Sequence, residues 1–290
     1  MITDLVLFSI AFVALAIGSI TDIKTREVPD WLNFSLIFAG LGIRALYSVI
    51  TFDWMYLVYG IIGFIALVIS AYVMFYAGQW GGGDSKMLMG LGAIFGLGFT
   101  LKPFPLIGIF LINAIIIGAF YGLFYSIGLA IKNRKKFLKA FLKIMHNEKI
   151  IKLRRRVLIV FVVLLLLIIF LVKDFILKWV LLAFVFIAYI SFYLIFYIKA
   201  VELSSMFYYV YPSELTEGDW IAKDYFVDGK KICGPKDLGI DKKQIRQLIA
   251  LKRKGKVKKI KIKQGIPFVP SFLAAFIISL AWGAWWVFLF

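Results

Sequence analysis

The sequence predicts an all-α polytopic membrane protein of about eight transmembrane helices, with a small α+β cytoplasmic domain before the last helix. Apolar residues make up 62% of the 290-residue chain and its mean hydropathy is +0.93, whereas soluble domains contain about 45 to 50% apolar residues. The apolar residues fall into eight runs, and a helix needs about 17 to 25 residues to cross the hydrocarbon core. A polar segment at residues 199–265 separates the last run from the others.

The eight predicted spans are bounded by short polar turns or by two longer polar segments. They cover residues 5–20, 31–50, 55–77, 87–100, 106–131, 157–172, 175–198 and 271–290. The fourth span is rich in glycine, at Gly90, Gly92, Gly96 and Gly98. Because glycine lets neighbouring helices approach closely, we expect these residues to serve helix packing.

The spans and polar segments divide the chain into five predicted regions. These are a membrane core at 1–131, a basic amphipathic loop at 132–156, a transmembrane hairpin at 157–198, a small cytoplasmic domain at 199–265 and a C-terminal transmembrane helix at 266–290. In the small domain, Asp228-Gly229 between two short apolar runs is typical of a β-hairpin turn. Asp241 predicts the N-cap of a helix that runs to about Lys254, and residues 257–262 alternate as a half-exposed strand does.

The net charge of +18 is concentrated beside apolar spans. Residues 132–156 contain 11 Lys or Arg, and their apolar side chains fall largely on one helical face. This pattern predicts an amphipathic helix that binds anionic lipid headgroups. No recognisable nucleic-acid-binding module accompanies the charge, so nucleic acid is not an expected partner. With eight spans, 30 of the 34 basic residues lie on one side, and the positive-inside tendency makes that side cytoplasmic.

Two acidic residues stand at the ends of apolar runs. Asp22 ends the first run, and Asp84 follows Gly81-Gly82-Gly83 between the third and fourth runs. A charge that faces hydrocarbon costs roughly 2.5 to 3.5 kcal/mol, so we expect both carboxylates to face a small polar pocket. Because two spans separate them, both can reach the same membrane face.

Two carboxyl groups held close together can hydrolyse an amide bond. Repulsion keeps both from ionising, so one pKa rises and the pair holds a single proton, which supplies a base and an acid at the same pH. Glycine removes Cβ atoms where an extended peptide approaches the backbone and permits φ angles closed to other residues. We therefore expect Gly81, Gly82 and Gly83 to contact a peptide substrate. The single Cys233 cannot form a thiolate metal site, and the single His146, within a basic run, is expected to be a surface residue rather than a catalytic one.

The two acidic motifs resemble those of a known family. Gly81-Gly82-Gly83-Asp84 matches the Gly-x-Gly-Asp signature of membrane aspartyl proteases, and the stretch from Asp22 to Asp30 resembles the first aspartate region of the type IV prepilin peptidases. Residues 217–220 and 265–270 are similar to the C-terminal region of archaeal prepilin and preflagellin peptidases.

This resemblance implies that Asp22 and Asp84 are the catalytic pair of an aspartic endopeptidase that needs no cofactor. The implied substrate is a membrane-inserted pilin or archaellin precursor, cut at the cytoplasmic border of the cell membrane between a short basic leader and its hydrophobic helix. A strongly basic face cannot attract a basic leader at long range. We therefore hypothesise that Glu27 or Asp30, close in sequence to Asp22, pairs with a Lys or Arg of the leader, with a solvated turn as the alternative.

Two other functions would also use paired carboxylates in a membrane. A protease similar to presenilin or signal peptide peptidase would cut helices inside the bilayer, but that family has a Pro-Ala-Leu element near its C-terminus, where this chain has Pro267-Phe268-Val269-Pro270. A proton-coupled transporter would bind a cation between the carboxylates. Transporters often show repeated halves, and the sequence has no convincing internal repeat.

Overall fold

Helices dominate the computed structural model, which describes residues 2–98, 104–227, 229–237 and 239–289. The helices are α1 (Ile2–Thr25), α2 (Asp30–Thr51), α3 (Trp54–Tyr76), α4 (Gly82–Phe95), α5 (Leu106–Lys132), α6 (Arg134–Met145), α7 (Glu148–Leu171), α8 (Phe175–Val201), α9 (Lys242–Arg253) and α10 (Val269–Ala281). A π-helical turn at Glu202–Met206 extends α8, and 3-10 turns lie at Pro212–Glu214 and Trp285–Leu289. The strands are β1 (Phe207–Val210), β2 (Trp220–Ile221), β3 (Tyr225–Val227), β4 (Lys230–Cys233) and β5 (Ile260–Lys263).

Within the described residues, 5 helices are long and apolar enough to cross a membrane: α1, α2, α3, α5 and α8 with its π-helical turn. The protein is therefore a mostly helical, multi-pass membrane protein with a small strand-containing region near its C-terminus. The prediction of eight spans is not confirmed, since α4 has 14 residues and α10 has 13. Thr100, at the predicted end of the fourth span, and Pro103, at the predicted break after it, lie outside the described residues.

The prediction of a last helix that runs to Phe290 is wrong in its second half. α10 ends at Ala281, and the 3-10 turn Trp285–Leu289 follows it. Gly283 lies between them with a φ of 57°, a left-handed conformation that interrupts the helix and that glycine adopts without steric cost.

α4 packs between α2 and α3 through small residues. A Cβ atom on Gly92 would lie 2.5 Å from the carbonyl oxygen of Gly63, and one on Gly90 would lie 2.8 Å from the side chain of Leu36. These distances confirm the helix-packing role that we predicted for Gly90 and Gly92. Gly96 also packs closely, since a Cβ on Gly63 would lie 2.6 Å from Cα of Gly96, and it ends α4 with a φ of 64°.

A buried arginine, Arg44, caps the C-terminal end of α4. Its guanidinium donates to the carbonyl oxygens of Ala93 at 3.0 Å, Ile94 at 2.7 Å and Tyr56 at 3.1 Å. A Cβ on Gly96 would lie 2.9 Å from Nη2 of Arg44. Arg44 therefore satisfies carbonyl groups that the end of a helix leaves without partners, and the absence of a side chain at Gly96 leaves it room.

The small region near the C-terminus combines a sheet, a hairpin and a helix. β5 lies between β1 and β2, and β3 pairs antiparallel with β4. Asp241 caps α9 by accepting a hydrogen bond from the backbone N–H of Gln244 at 2.6 Å. The predicted hairpin and helix cap are confirmed, although the strand begins at Ile260 rather than at Val257, and Asp228 lies outside the described residues.

Contacts divide the chain into two compact units. Unit 1 comprises Met1–Phe124 and Tyr209–Phe290, and unit 2 comprises Tyr125–Tyr208. In unit 2, α6 packs on α8 through the ring of Phe137, which stacks on Phe141 and meets Tyr197 edge-on. The predicted basic loop at 132–156 here forms α6 and the first turns of α7.

Candidate active site

α1 carries Asp22 into the protein interior at its last turn. Asp22 is 5% exposed, and its Oδ2 accepts a hydrogen bond from the backbone N–H of Val269 at 3.0 Å. The chain leaves α1 through Arg26, which has the left-handed φ of 63° that a sharp exit from a helix requires.

The partner of Asp22 is the N-terminus of α10, which begins at Val269. Pro270 suits this first turn, because proline has a helical φ and lacks an N–H that would need a partner there. The centroid of the Phe268 ring lies 5.7 Å from that of Trp80 and 5.2 Å from that of Phe272. Trp80 itself is 5% exposed. These buried rings link the residue before the glycine motif to the start of α10.

Asp84 lies in the first turn of α4, directly after the glycines. Its Oδ2 accepts a hydrogen bond from the backbone N–H of Gly81 at 3.0 Å. A Cβ on Gly83 would lie 3.2 Å from Cβ of Val28, whereas one on Gly82 would meet nothing closer than 4.0 Å. The close approach at Gly83 is what places the start of α4 against the segment that follows α1.

The glycines do not use the conformational freedom that we expected of them. Gly81 has a φ of −72°, and Gly82 and Gly83 belong to α4, so none has the positive φ that would require glycine. The residue of this region with a positive φ is Gly78, at 67°. Whether the glycines contact a substrate stays a prediction.

The two carboxyl groups lie close enough for the charge of Asp22 to act on Asp84. Asp84 precedes the fourth predicted span and lies in none of the five candidate spanning helices. Burial, and then the negative charge of Asp22, raise the pKa of Asp84 to about 7. A pair of this kind holds one proton near neutral pH and can act as an acid and a base together.

The two acidic residues suggested for leader recognition have different surroundings. Asp30 forms a salt bridge with Lys86, with 2.6 Å between Oδ1 and Nζ. Glu27 is exposed, and its charge acts on Asp219 of the small region. Burial, and more weakly the charge of Glu27, raise the pKa of Asp219. The sequence analysis included Asp219 in the segment 217–220 but did not connect it with Glu27, because 192 residues separate the two.

Among the described residues, no group of three or more His, Cys, Asp or Glu side chains could hold a metal ion. The arrangement around Asp22 and Asp84 instead combines two carboxyl groups with backbone N–H donors. Such a site can move protons and can hold a water molecule against a peptide carbonyl.

This geometry agrees with comparisons to known proteins. Residues 9–123 match the type IV leader peptidase family. The matched segment contains both Asp22 and Asp84, so the resemblance to prepilin and preflagellin peptidases is confirmed for the part of the chain that carries the candidate site. The protease that cuts inside the bilayer and the transporter are not favoured.

Curated relatives that match 87 to 90 residues of the chain come from methanogens. A preflagellin peptidase of Methanocaldococcus jannaschii is 39% identical over 87 residues, which are 30% of this chain and 37% of the relative. Preflagellin peptidases of Methanococcus voltae and Methanococcus maripaludis are 37% identical over 90 residues and 41% identical over 88 residues, which are 31% and 30% of this chain. The match therefore spans 37 to 38% of the length of these relatives. No solved structure matches.

Proposed function

We propose that this protein is a membrane aspartic endopeptidase that removes the short basic leader from type IV pilin-like or archaellin precursors. The observation that supports the proposal is that Asp22 in the last turn of α1 and Asp84 in the first turn of α4 both lie in the segment that matches the type IV leader peptidase family, with the charge of Asp22 acting on Asp84. The names of the relatives support the substrate class, since all three are preflagellin peptidases.

The chemistry is the addition of water to the scissile amide. An ionised carboxylate takes a proton from water, whose oxygen bonds to the carbonyl carbon, while the protonated carboxyl donates its proton to the carbonyl oxygen. The tetrahedral diol then collapses as its C–N bond breaks. The leaving nitrogen takes the first proton, and a hydroxyl of the diol returns the second proton to the other carboxylate. One water molecule is consumed, and the pair regains its starting state.

The proposed orientation places the site at the cytoplasmic border of the cell membrane. In this proposal α4 from Met87 onward, α7 and α10 join the five candidate spans, with residues 1–131 as the catalytic core and residues 199–265 as a cytoplasmic domain before the last crossing. The positive-inside tendency supports the orientation. The basic residues of α6 and of the start of α7 would then contact anionic headgroups of the inner leaflet.

We propose that Glu27 recognises the basic leader, with Asp219 beside it. Glu27 is exposed and has no ion pair among the described residues, so a Lys or Arg of the substrate can pair with it. Asp30 is the weaker candidate, because its carboxylate already pairs with Lys86.

Precursor cleavage by three matched variants tests the proposed function. Asp22→Asn and Asp84→Asn each remove a carboxyl group of the pair, whereas Asp53→Asn makes the same chemical change at the N-cap of α3, where asparagine caps equally well. We expect membranes with the wild type or Asp53→Asn to convert an archaellin precursor to a product without its leader. Cleavage by the two site variants should fall by at least about 1,000-fold, as when members of a catalytic unit are removed.

Mass spectrometry of the product identifies the bond that is cut. A product that begins directly after the basic leader agrees with the proposal. Full cleavage by either site variant, or no cleavage by the wild type of any precursor with a basic leader, would contradict it.

A further inference from the structure

A tryptophan of the small region contacts the turn that leads into the glycine motif. Trp220 begins β2, and a Cβ on Gly78 would lie 3.3 Å from Cη2 and 3.8 Å from Cζ3 of its ring. The ring is half-buried, whereas Ile221, the next residue, is 3% exposed and packs in the core of the small region. Because successive side chains of a strand point to opposite faces, β2 holds Ile221 inward and directs Trp220 at the turn.

Gly78 forms the turn between α3 and α4. It has a left-handed φ of 67°, and its N–H and the next one donate to carbonyl oxygens in the last turn of α3, at 2.9 and 3.0 Å. In this arrangement a glycine ends a helix and satisfies its last carbonyl groups. The chain then passes through the buried Trp80 to Gly81, whose N–H donates to Asp84. A displacement of the turn at Gly78 would therefore move the start of α4 and the carboxyl group that it carries.

The sheet that carries Trp220 also leads to the partner of Asp22. Trp220 pairs with Lys263 of β5 in antiparallel register. From Lys263 the chain runs directly to Val269, whose N–H donates to Asp22 at 3.0 Å. The pairing of β2 with β5 therefore connects the contact at Gly78 to the segment that binds Asp22.

The turn is held at two points. Trp80 packs on Phe268 inside the protein, with 5.7 Å between the ring centroids, and Trp220 packs on Gly78 from the small region. Both contacts tie the segment before Asp84 to the segment that precedes α10. The first contact belongs to the buried core, and the second is the one that the small region supplies.

We propose that Trp220 is a positioning residue for cleavage: its ring on Gly78 holds the α3–α4 turn in place, so that the two carboxyl groups of the candidate site stay together. This proposal rests on the proposed function and adds to it a role for the small region. Trp220 acts through the turn rather than on the substrate. Its loss should therefore reduce kcat and leave KM nearly unchanged.

Precursor cleavage by Trp220→Ala and Trp220→Phe tests this role. Alanine removes the ring, whereas phenylalanine keeps an aromatic ring that is too short to reach Gly78 as the outer atoms of the indole do. Phe226→Ala is the matched control, because it removes a 61% exposed aromatic ring from β3 of the same small region.

We expect kcat to fall about tenfold in both Trp220 variants, since displacing a catalytic group by a fraction of an ångström has effects of this order. Phe226→Ala should keep the wild-type kcat and KM. A wild-type kcat in either Trp220 variant would overturn the proposal. A raised KM with an unchanged kcat would overturn it too, because Trp220 would then bind the substrate itself. An equal loss of kcat in Phe226→Ala would trace the effect to the stability of the small region and would also overturn the proposal.

Cross-linking follows the separation of the two carboxyl positions without any substrate. Asp22→Cys and Asp84→Cys are combined in a Cys233→Ala background and joined by a short bifunctional thiol reagent. The rate of cross-linking is measured with Trp220 intact, with Trp220→Ala and with Phe226→Ala. It should fall several-fold with Trp220→Ala alone, because the effective concentration of one thiol at the other falls as the two move apart.

The two experiments separate this proposal from the proposed function. An unchanged cross-linking rate with Trp220→Ala, in a protein whose wild type cleaves precursors, would contradict the role of Trp220 alone. A rate that falls as expected, in a protein whose wild type cleaves no precursor, would contradict the proposed function alone.

Discussion

α3 and α8 are almost equally apolar, yet they bury very different surfaces. The most apolar 18-residue stretches of the two helices have mean hydropathies of 2.3 and 2.4. In α3, 22% of this stretch is buried inside the protein, whereas in α8 none of it is. α3 carries Gly60, Gly63 and Ala71 on its buried face, whereas α8 contains no glycine. Small residues on a helix face, rather than its hydropathy, let helices pack closely, whereas α8 meets α6 through aromatic rings. The candidate site lies among the helices that pack closely.

The largest expected difference between the two regions is in the free energy of unfolding lost when a basic residue of each is replaced. Arg44→Met removes the donors to two backbone carbonyl groups at the end of α4 and to that of Tyr56 in the first turn of α3. At about 1 to 3 kcal/mol for each buried polar group left without a partner, the free energy of unfolding should fall by about 3 kcal/mol or more. Lys178→Met at the start of α8 should change it by less than about 0.5 kcal/mol. Denaturation in detergent micelles measures both, and equal effects would end the distinction between the regions.

Two leucines provide an apolar test that extends the contrast from α8 to α7, the helix that packs on it. Leu67 on α3 is 0% exposed and Leu166 on α7 is 49% exposed. Leu67→Ala should cost about 2 to 4 kcal/mol, because it leaves a cavity among packed helices. Leu166→Ala should cost much less, because lipid or detergent fills the space. A cost above about 2 kcal/mol for Leu166→Ala would show that α7 is packed against protein.

The smallest expected effect separates two neighbouring glycines of the site. Gly83→Ala forces a Cβ to within 3.2 Å of Val28, whereas Gly82→Ala has open space. We expect Gly83→Ala to reduce precursor cleavage about tenfold, since displacing a catalytic group by a fraction of an ångström has effects of this order. Gly82→Ala is the matched comparison, and its cleavage rate should stay higher than that of Gly83→Ala. The reverse order would show that α4 is not positioned by its contact with Val28.

The sequence predicted the candidate site better than it predicted the contacts that build the site. Asp22 and Asp84 were found because isolated carboxylates between apolar runs are costly in a membrane. The hydrogen bond from Val269 to Asp22 joins residues 247 positions apart, and no spacing rule predicts such a contact. The residues before α10 did predict a turn into a helix.

The fold was predicted unevenly for a similar reason. Local signals such as the Asp241 cap and the β3–β4 hairpin depend on neighbouring residues and were predicted correctly. The end of α10 at Ala281 and the cap that Arg44 places on α4 depend on distant packing or on a single glycine conformation. Hydropathy could not distinguish these positions from ordinary spanning residues.

The central claim, that Asp22 and Asp84 lie together at one end of the membrane core, can be measured by cross-linking. Asp22→Cys and Asp84→Cys are combined in a Cys233→Ala background and treated with a short bifunctional thiol reagent. Asp22→Cys with Asp53→Cys is the control, because Asp53 lies near Tyr56, which bonds Asp4 at the other end of α1. The account predicts an intramolecular cross-link for the first pair and none for the second. No cross-link between positions 22 and 84, or an equal one between 22 and 53, would contradict it.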